Sequence, residues 1–349
     1  MGEVLRRLGP AWTAILALAG TVVVAGLMLV AGGYDALLAG RALVSGAVGT
    51  PDAFLSVTLV RAVPLILTGL AVALAFRAGV WNIGAEGQLY AGAVAGAWVG
   101  LSGGNLPGWI LVPAVLAASC GAGMAWALVP TVMKLRLGVG EVITTLLMNF
   151  VGINLAAYAV HGPLQEARGV FPQTDPIAMS ARLPALAPGS RLHVGFVVAV
   201  ALAALLWGVL RWTRAGFVLR AVGASPGAAR VAGRVNVPRA VLVAFLASGA
   251  LAGLAGGVEV SGVTFALYEG LSPGWGYTAI AVALLAGLHP GAVVVTGILF
   301  GALEGGAGSM QRVAGIPATW VSAVEALVIL SVLAVDQLRR RVVREGSHG

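Results

Sequence analysis

The residues best suited to chemistry lie in one short polar stretch, Arg77–Tyr90. Within it, Asn82, Glu86 and Gln88 place amide and carboxylate groups in a sequence that is otherwise almost continuously apolar. On a helix Asn82 and Glu86 would share a face. Polar and ionisable groups at membrane depth are costly and mark substrate or ion pathways. The stretch therefore predicts a site at which a solute is bound by hydrogen bonds during passage through a membrane.

Two short apolar segments flank this stretch and must position it. The uncharged run before it, Ala62–Phe76, would cover about 22 Å as a helix, against a bilayer core of about 30 Å. The run after it, Leu89–Leu101, is equally short. Irregular backbone at membrane depth must be buried in protein or line a water-filled cavity. We therefore expect two short helices that meet at a polar turn, with Trp81–Gln88 beside a conduit.

The composition places the whole chain among polytopic membrane proteins. Of its 349 residues, 59% are hydrophobic and only 10% are charged, and the mean hydropathy is +0.97. Apolar runs bounded by charges or turn signals predict an all-α fold with about ten transmembrane helices, some of them short or discontinuous. We expect a single transmembrane domain over residues 1–349. The single cysteine excludes an internal disulfide, and the four histidines show no metal-ligand spacing.

The positive residues predict the orientation of the chain. Fifteen of the 21 lysine and arginine residues fall in alternate connections between the predicted helices. By the positive-inside rule that side is cytoplasmic, and both termini lie on it. The net charge of +8 is therefore explained by topology, and we expect a lipid bilayer and no nucleic acid as a partner.

Several further residues are candidates for the pathway, each with a structural alternative. Glu141 opens a helix, where a carboxylate interacts well with the helix dipole, so a helix-start role is as well supported as a transport role. Asn149 lies deeper in the same helix and could bond a neighbouring helix or a solute. Trp81, Trp275 and Tyr277 could stack on a sugar or base, or form part of an interfacial aromatic belt.

Two connections are long enough to carry function. The outer one, residues 161–192, is rich in proline, which predicts an ordered but non-helical cap. The inner one, residues 212–238, contains Ser225 and Pro226, a suitable N-cap and first residue for a short basic helix that ends near Gly233. This helix could dock on a partner protein or lie on anionic lipid. The sequence holds no catalytic constellation and no Walker A loop, so we expect no enzyme activity and no ATP binding in this chain.

Four motifs of the sequence are distinctive. They are Asn82-Ile-Gly-Ala-Glu-Gly-Gln88, Gly140-Glu-Val-Ile-Thr-Thr-Leu-Leu-Met-Asn149, Ala221-Val-Gly-Ala-Ser-Pro-Gly-Ala-Ala-Arg-Val-Ala-Gly233 and Gly274-Trp-Gly-Tyr-Thr-Ala-Ile-Ala-Val-Ala-Leu-Leu285. These motifs resemble the permease subunits of bacterial ABC importers of the nucleoside and simple-sugar type, relatives of the ribose and branched-chain amino-acid permeases. The resemblance covers about residues 55–335, and the form of the first motif is specific to the nucleoside branch.

This resemblance implies a function and a set of partners. It implies a second permease chain that is homologous but different, separate ATPase subunits that bind ATP and Mg, an extracytoplasmic solute-binding protein, and a place in the bacterial inner membrane. It also implies a coupling element that docks on the ATPase, formed by Gly223, Ser225, Pro226, Arg230, Gly233 and Arg234. The family usually has Asn where Ser225 stands, and either residue caps a helix. Two alternatives stay open: a branched-chain amino-acid permease, and a self-sufficient transporter that uses Glu86 or Glu141 as a proton relay.

Overall fold

The structure of the chain is a computed structural model that describes residues 10–233, 235–317, 320, 322, 323, 326, 327, 330 and 331. Within these residues the chain is helical, with two isolated β-bridges and no strand. In this described part of the chain six helices are long and apolar enough to cross a membrane, and shorter apolar helices accompany them. The chain is therefore an all-α, multi-pass membrane protein, while the count of ten spans and the cytoplasmic termini stay predictions.

The chain divides into two compact units, of which the first takes in residues up to Thr58 and those from Ala302 onward. It contains α1 (Pro10–Ala31), α2 (Ala36–Val48) and a π-helical turn (Ala53–Thr58). Helix α2 was not predicted, because it is short and carries an arginine. Asp35 gives the missed signal: its carboxylate accepts hydrogen bonds from the backbone N–H groups of the first turn, at 2.9 and 3.0 Å.

The second unit, Leu59–Gly301, contains every predicted site residue that the structure describes. Its helices are α3 (Leu59–Arg77), α4 (Ala85–Ser102), α5 (Gly108–Leu137), α6 (Glu141–His161), α7 (Gly195–Trp212), α8 (Arg214–Ala224), α9 (Pro226–Gly233), α10 (Val237–Glu259), α11 (Trp275–Leu285) and the first half of α12 (Pro290–Ala314). A π-helical turn, Val260–Thr264, extends α10. Helices α3 and α10 are the most buried of the long apolar helices.

Glycine rows hold the centre of this unit together. On α10, Gly253 packs against Gly92 of α4 on one side and Gly123 of α5 on the other. A Cβ atom built on Gly92 would lie 2.1 Å from the Gly253 carbonyl oxygen, and one on Gly123 would lie 2.8 Å from the Gly253 Cα atom. Such close backbone contact is how small residues drive helix association in membranes. Gly92, Gly123 and Gly253 therefore lie on packing surfaces.

The connections segregate to two ends of the unit, as alternating spans require. At one end lie the arginine-rich connections. Arg77, Arg211 and His289 belong to three of these connections, and all three line one cleft. At the other end, the segment between α6 and α7 packs on the segment after α10. There the Ile177 N–H donates to the Phe265 carbonyl at 2.8 Å, and the Arg182 guanidinium lies 4.4 Å from the Phe265 ring centroid.

The proline-rich segment between α6 and α7, which we predict to be the outer one, is ordered and lacks an α-helix, with one 3₁₀ turn at Met179–Ala181. His193 closes it as a buried residue whose ring packs against Gly195 and Gly262. Burial, together with the charge of Arg191, lowers the pKa of His193 to about 4, so the imidazole is neutral at physiological pH.

Candidate functional site

Two helix N-termini meet inside the second unit, and the buried Glu86 lies at this meeting point. Helix α11 has 11 residues, which at 1.5 Å per residue is about 16 Å, roughly half of a bilayer core. Its N-terminus packs directly on the N-terminus of α4: a Cβ atom on Gly276 would lie 2.2 Å from the Glu86 backbone nitrogen. We call this place the helix crossing.

The carboxylate of Glu86 joins the two helices at the crossing. Glu86 is only 2% exposed, and its Oε2 atom accepts the Gly276 N–H at 2.6 Å. The Ser272 side chain also hydrogen-bonds Glu86, and its hydroxyl oxygen accepts the Trp275 N–H at 3.0 Å. The first turn of a helix exposes unpaired N–H groups and a partial positive charge. The Glu86 carboxylate satisfies both at the start of α11, which explains how this acidic group is accommodated in the apolar interior.

Asn82 and Gln88 form an amide pair beside this carboxylate. The Asn82 Nδ2 atom donates to Gln88 Oε1 at 3.0 Å and to Ser248 Oγ at 2.9 Å, and Gln88 Nε2 returns a bond to Asn82 Oδ1 at 3.2 Å. Ser248 in turn donates to the Ala71 carbonyl of α3 at 2.7 Å. Both amides are buried, with at most 1% exposure. The pair therefore ties the polar turn to α3 and α10.

Asn149 of α6 holds the same turn from the other side. Its Oδ1 atom accepts the Gly87 N–H at 2.8 Å, and its Nδ2 atom donates to the Ile83 carbonyl at 2.8 Å. The Thr145 hydroxyl accepts the Ile83 N–H at 3.2 Å. Of the two uses considered for Asn149, the structure shows bonding between elements. These bonds satisfy the backbone on both sides of the break before α4.

Two aromatic side chains near the crossing are exposed at the surface of the chain. Trp81 is 53% exposed and lies against Phe76, with ring centroids 4.6 Å apart. Tyr277 is partly exposed, and its side chain hydrogen-bonds Asn149. Trp275 is 5% exposed and is part of the interior. Among the eight residues predicted for the pathway, Trp81 and Tyr277 therefore lie at the exposed edge of the crossing, which we call its rim.

Glu141 is the first residue of α6 and pairs with the single lysine of the chain. Its carboxylate lies 2.6 Å from Lys134 Nζ, and it also accepts a hydrogen bond from the Trp81 backbone. The pair joins the end of α5 to the start of α6. This is the geometry of the helix-start alternative, and a contact between Glu141 and a solute stays a prediction.

Sequence reasoning missed four polar residues that complete the crossing. Thr145 and Ser272 lie in or next to the recognised motifs, so their positions carried a signal. Tyr90 is one helical turn after Glu86, and its hydroxyl accepts the Ser272 N–H at 3.1 Å. Ser248 had no local signal, because its amide partner lies 166 residues away in the sequence.

The predicted coupling element contains a short helix at the arginine-rich end. Helix α9 begins at Pro226 and ends at Gly233, as predicted, and the Ser225 hydroxyl accepts the Ala228 N–H at 3.3 Å. Gly223 packs on the end of α3, where an added Cβ atom would lie 2.0 Å from the Arg77 carbonyl oxygen. Arg230 is exposed. Arg234 lies outside the described residues.

The sequence matches one protein family over most of its length. The family is described as branched-chain amino acid transport system / permease component, and it matches residues 54–333. Both the helix crossing and the helix α9 lie within this range.

Individual relatives are permeases of ABC transporters. The chain is 38% identical to the glucose ABC transporter permease protein TsgB13 of Haloferax volcanii, over 96% of this chain and 91% of the relative. It is 34% identical to the guanosine ABC transporter permease protein NupP of Bacillus subtilis, over 90% of each. A second permease of Bacillus subtilis, the guanosine ABC transporter permease protein NupQ, is 28% identical over 70% of this chain and 78% of the relative.

Proposed function

This chain belongs to the family of branched-chain amino acid transport system permease components and is a permease subunit of an ABC importer, and we propose that it carries nucleosides or related simple sugars. We place it in the cytoplasmic (inner) membrane. The substrate class is supported by relatives named for glucose and guanosine. It is also supported by the chemistry of the helix crossing.

The observation that carries this proposal is the occupation of the α11 N-terminus by Glu86. A free helix N-terminus in a transporter attracts the negative group of a substrate. Here the N–H group of Gly276 already binds the Glu86 carboxylate at 2.6 Å, so this helix end is not free to bind the carboxylate of an amino acid. A neutral solute with hydroxyl groups or a base ring suits such a site, which argues against the branched-chain amino-acid alternative.

We propose that the solute path runs along the rim of the crossing. Trp81 and Tyr277 offer aromatic faces on which a sugar or base can stack. The buried Asn82, Glu86, Gln88 and Asn149 then act as positioning residues. Trp275 supports the same helix start, and Glu141 holds the backbone of Trp81 through its hydrogen bond.

Transport requires partners, and the two ends of the unit provide places for them. The relatives NupP and NupQ are two guanosine permeases in one organism, which supports pairing with a different homologous permease. We propose that α9 docks on ATPase subunits that bind ATP and Mg, and that the outer segment meets a solute-binding protein. ATP then drives the permease pair between outward and inward openings because it binds the two states with different affinity. No cofactor is assigned to this chain.

Uptake by the complete importer in liposomes tests the proposal. Labelled guanosine and glucose are supplied to the permease pair, with and without the ATPase and the solute-binding protein. We expect uptake that needs ATP, is competed by unlabelled nucleoside or sugar, and is unaffected by leucine. Competition by leucine alone would favour the amino-acid alternative. Uptake by this chain alone, driven by a proton gradient, would overturn the importer mechanism in favour of a secondary transporter.

A further inference from the structure

A second concentration of charge lies at the arginine-rich end of the same unit. A cleft of about 370 Å³ separates the ends of α3, α7 and α8 from the start of α12. Its lining residues are Arg77, Trp207, Leu210, Arg211, Arg220, His289 and Pro290. Three of them are arginines from three different helices, so we call it the arginine cleft.

The arginine cleft lacks an internal counter-charge. None of its lining residues within the described part of the chain is acidic. Arg77 donates its Nε–H to the Leu288 carbonyl at 2.7 Å, and its charge is close enough to that of Arg220 for the two to repel each other. Bringing like charges together costs free energy unless an anion is bound between them. The cleft is therefore suited to a negatively charged group, and the described lining residues do not supply one.

We propose that the arginine cleft binds the phosphate of an anionic lipid headgroup. Guanidinium groups match phosphate oxygens through paired N–H donors. The start of α12, with Pro290 as its first residue, adds the positive end of a helix. Basic pockets between transmembrane helices on the cytoplasmic side suit phosphate headgroups.

The surroundings of the cleft favour a lipid over a soluble phosphate. Helix α7, which supplies Trp207 and Arg211, is the least buried of the six long apolar helices of the described chain, at 22%, so most of its apolar surface is left uncovered by the described residues and is available to lipid. Trp207 packs edge-on against Trp212, with ring centroids 4.7 Å apart. Tryptophan pairs of this kind belong at the membrane interface, the depth at which headgroups lie.

The bound headgroup would act on the coupling element. Arg220 belongs to α8, whose last turn carries Gly223 against the Arg77 carbonyl. A phosphate held by Arg77, Arg211 and Arg220 thus joins α3, α7 and α8 directly before α9 begins. We therefore expect anionic lipid to fix the orientation of α9 and to increase ATP-driven uptake. This second effect depends on the proposed function, whereas lipid binding does not.

Lipid binding to the purified full-length chain tests the proposal directly. The chain is titrated with phosphatidylglycerol or phosphatidylcholine in detergent, and bound lipid is counted by native mass spectrometry. Arg211→Gln combined with Arg220→Gln is compared with Arg214→Gln, which removes a charge from α8 outside the cleft. We expect about a 25-fold loss of phosphatidylglycerol affinity in the double variant, about fivefold per charge, and no change in the control. The double lysine variant should recover part of the affinity.

Three results would overturn the proposal. Equal binding of phosphatidylglycerol by wild type and double variant, both with the wild-type unfolding midpoint, would exclude the cleft as the lipid site. Displacement of the lipid by millimolar inorganic phosphate would assign the cleft to a soluble anion. If the double variant binds lipid normally but no longer binds the ATPase, the arginine cleft is a contact surface for a protein. If uptake fails in every lipid while the variants bind lipid as expected, the importer assignment fails and the lipid site stands.

Discussion

The helix crossing and the arginine cleft are the two polar regions of one unit, and they treat charge in opposite ways. At the crossing, the Glu86 carboxylate is 2% exposed and is bonded to the N–H group of Gly276. In the cleft, three arginines line a space to which none of the described lining residues brings a carboxylate. The polar groups of the first region are bonded within the chain, while we propose that those of the second bind a group from outside.

This difference distinguishes polar groups that stabilise the fold from polar groups that bind a ligand or a partner. An unpaired polar group in an apolar interior costs more than a typical hydrogen bond contributes. The chain therefore meets the needs of Asn82, Glu86 and Gln88 with its own atoms. Charged groups at the membrane–water interface can be solvated by water when no partner is bound. The residue type alone does not show whether a polar group is structural or binds a ligand, because the role of the group depends on where its nearest hydrogen-bond partner lies in the fold.

The largest expected effect comes from filling the contact between the two helix starts. In Gly276→Ala the new Cβ atom would lie 2.2 Å from the Glu86 backbone nitrogen, so α4 and α11 must separate. We expect a loss of about 3 kcal/mol in the free energy of unfolding, measured by unfolding in mixed detergent micelles. Gly227→Ala of α9 is the control, because no atom lies within 4 Å of its added Cβ. Equal stability of the two variants would mean that the crossing is open in the membrane.

Replacing Glu86 tests whether the crossing is held by its carboxylate. Glu86→Ala leaves the buried Gly276 N–H without its partner, which we expect to cost about 2 kcal/mol of unfolding free energy. Glu86→Gln keeps an acceptor oxygen and should cost less. Both variants are compared by unfolding and by the KM and kcat of uptake. Wild-type stability in Glu86→Ala with abolished uptake would show that Glu86 contacts the solute and does not serve as a support.

The sequence predicted the crossing better than it predicted its contacts. The polar residues around Asn82 indicated a break between two helices, and the structure has a break before α4. The expectation that the helix before this break is short was wrong, because the helical segment runs over 25 residues from Ala53 to Arg77; the depth of the break in a membrane stays a prediction. The Ser225–Pro226 pair likewise predicted the start of α9. The bond between Glu86 and Gly276 could not be predicted, because it joins residues 190 positions apart. Local patterns determine where helices begin, whereas the folded packing determines which of their polar ends meet.

Among the interface charges, Arg230 provides the sharpest contrast with the crossing. It is exposed on α9, so Arg230→Glu should leave the unfolding free energy of the chain within about 0.5 kcal/mol of wild type. Reversing a charge on a docking surface should weaken ATPase binding about tenfold, measured by co-purification across a salt series. Arg136→Glu, at the end of α5, is the charge-matched control. Unchanged ATPase binding in Arg230→Glu would leave α9 without the docking role proposed here.

The smallest effect that should still be measurable is at the cap of α9. Ser225→Ala removes the hydroxyl that accepts the Ala228 N–H at 3.3 Å, and loss of an N-cap costs about 1 kcal/mol of helix stability. Because α9 has only eight residues, we expect its amide hydrogens to exchange about fivefold faster while the crossing keeps its protection. Ser225→Asn restores a capping oxygen and should exchange as wild type does. Faster exchange at the crossing in Ser225→Ala would show that the two regions fold as one cooperative element, and the distinction between a closed interior and an open docking surface would then fail.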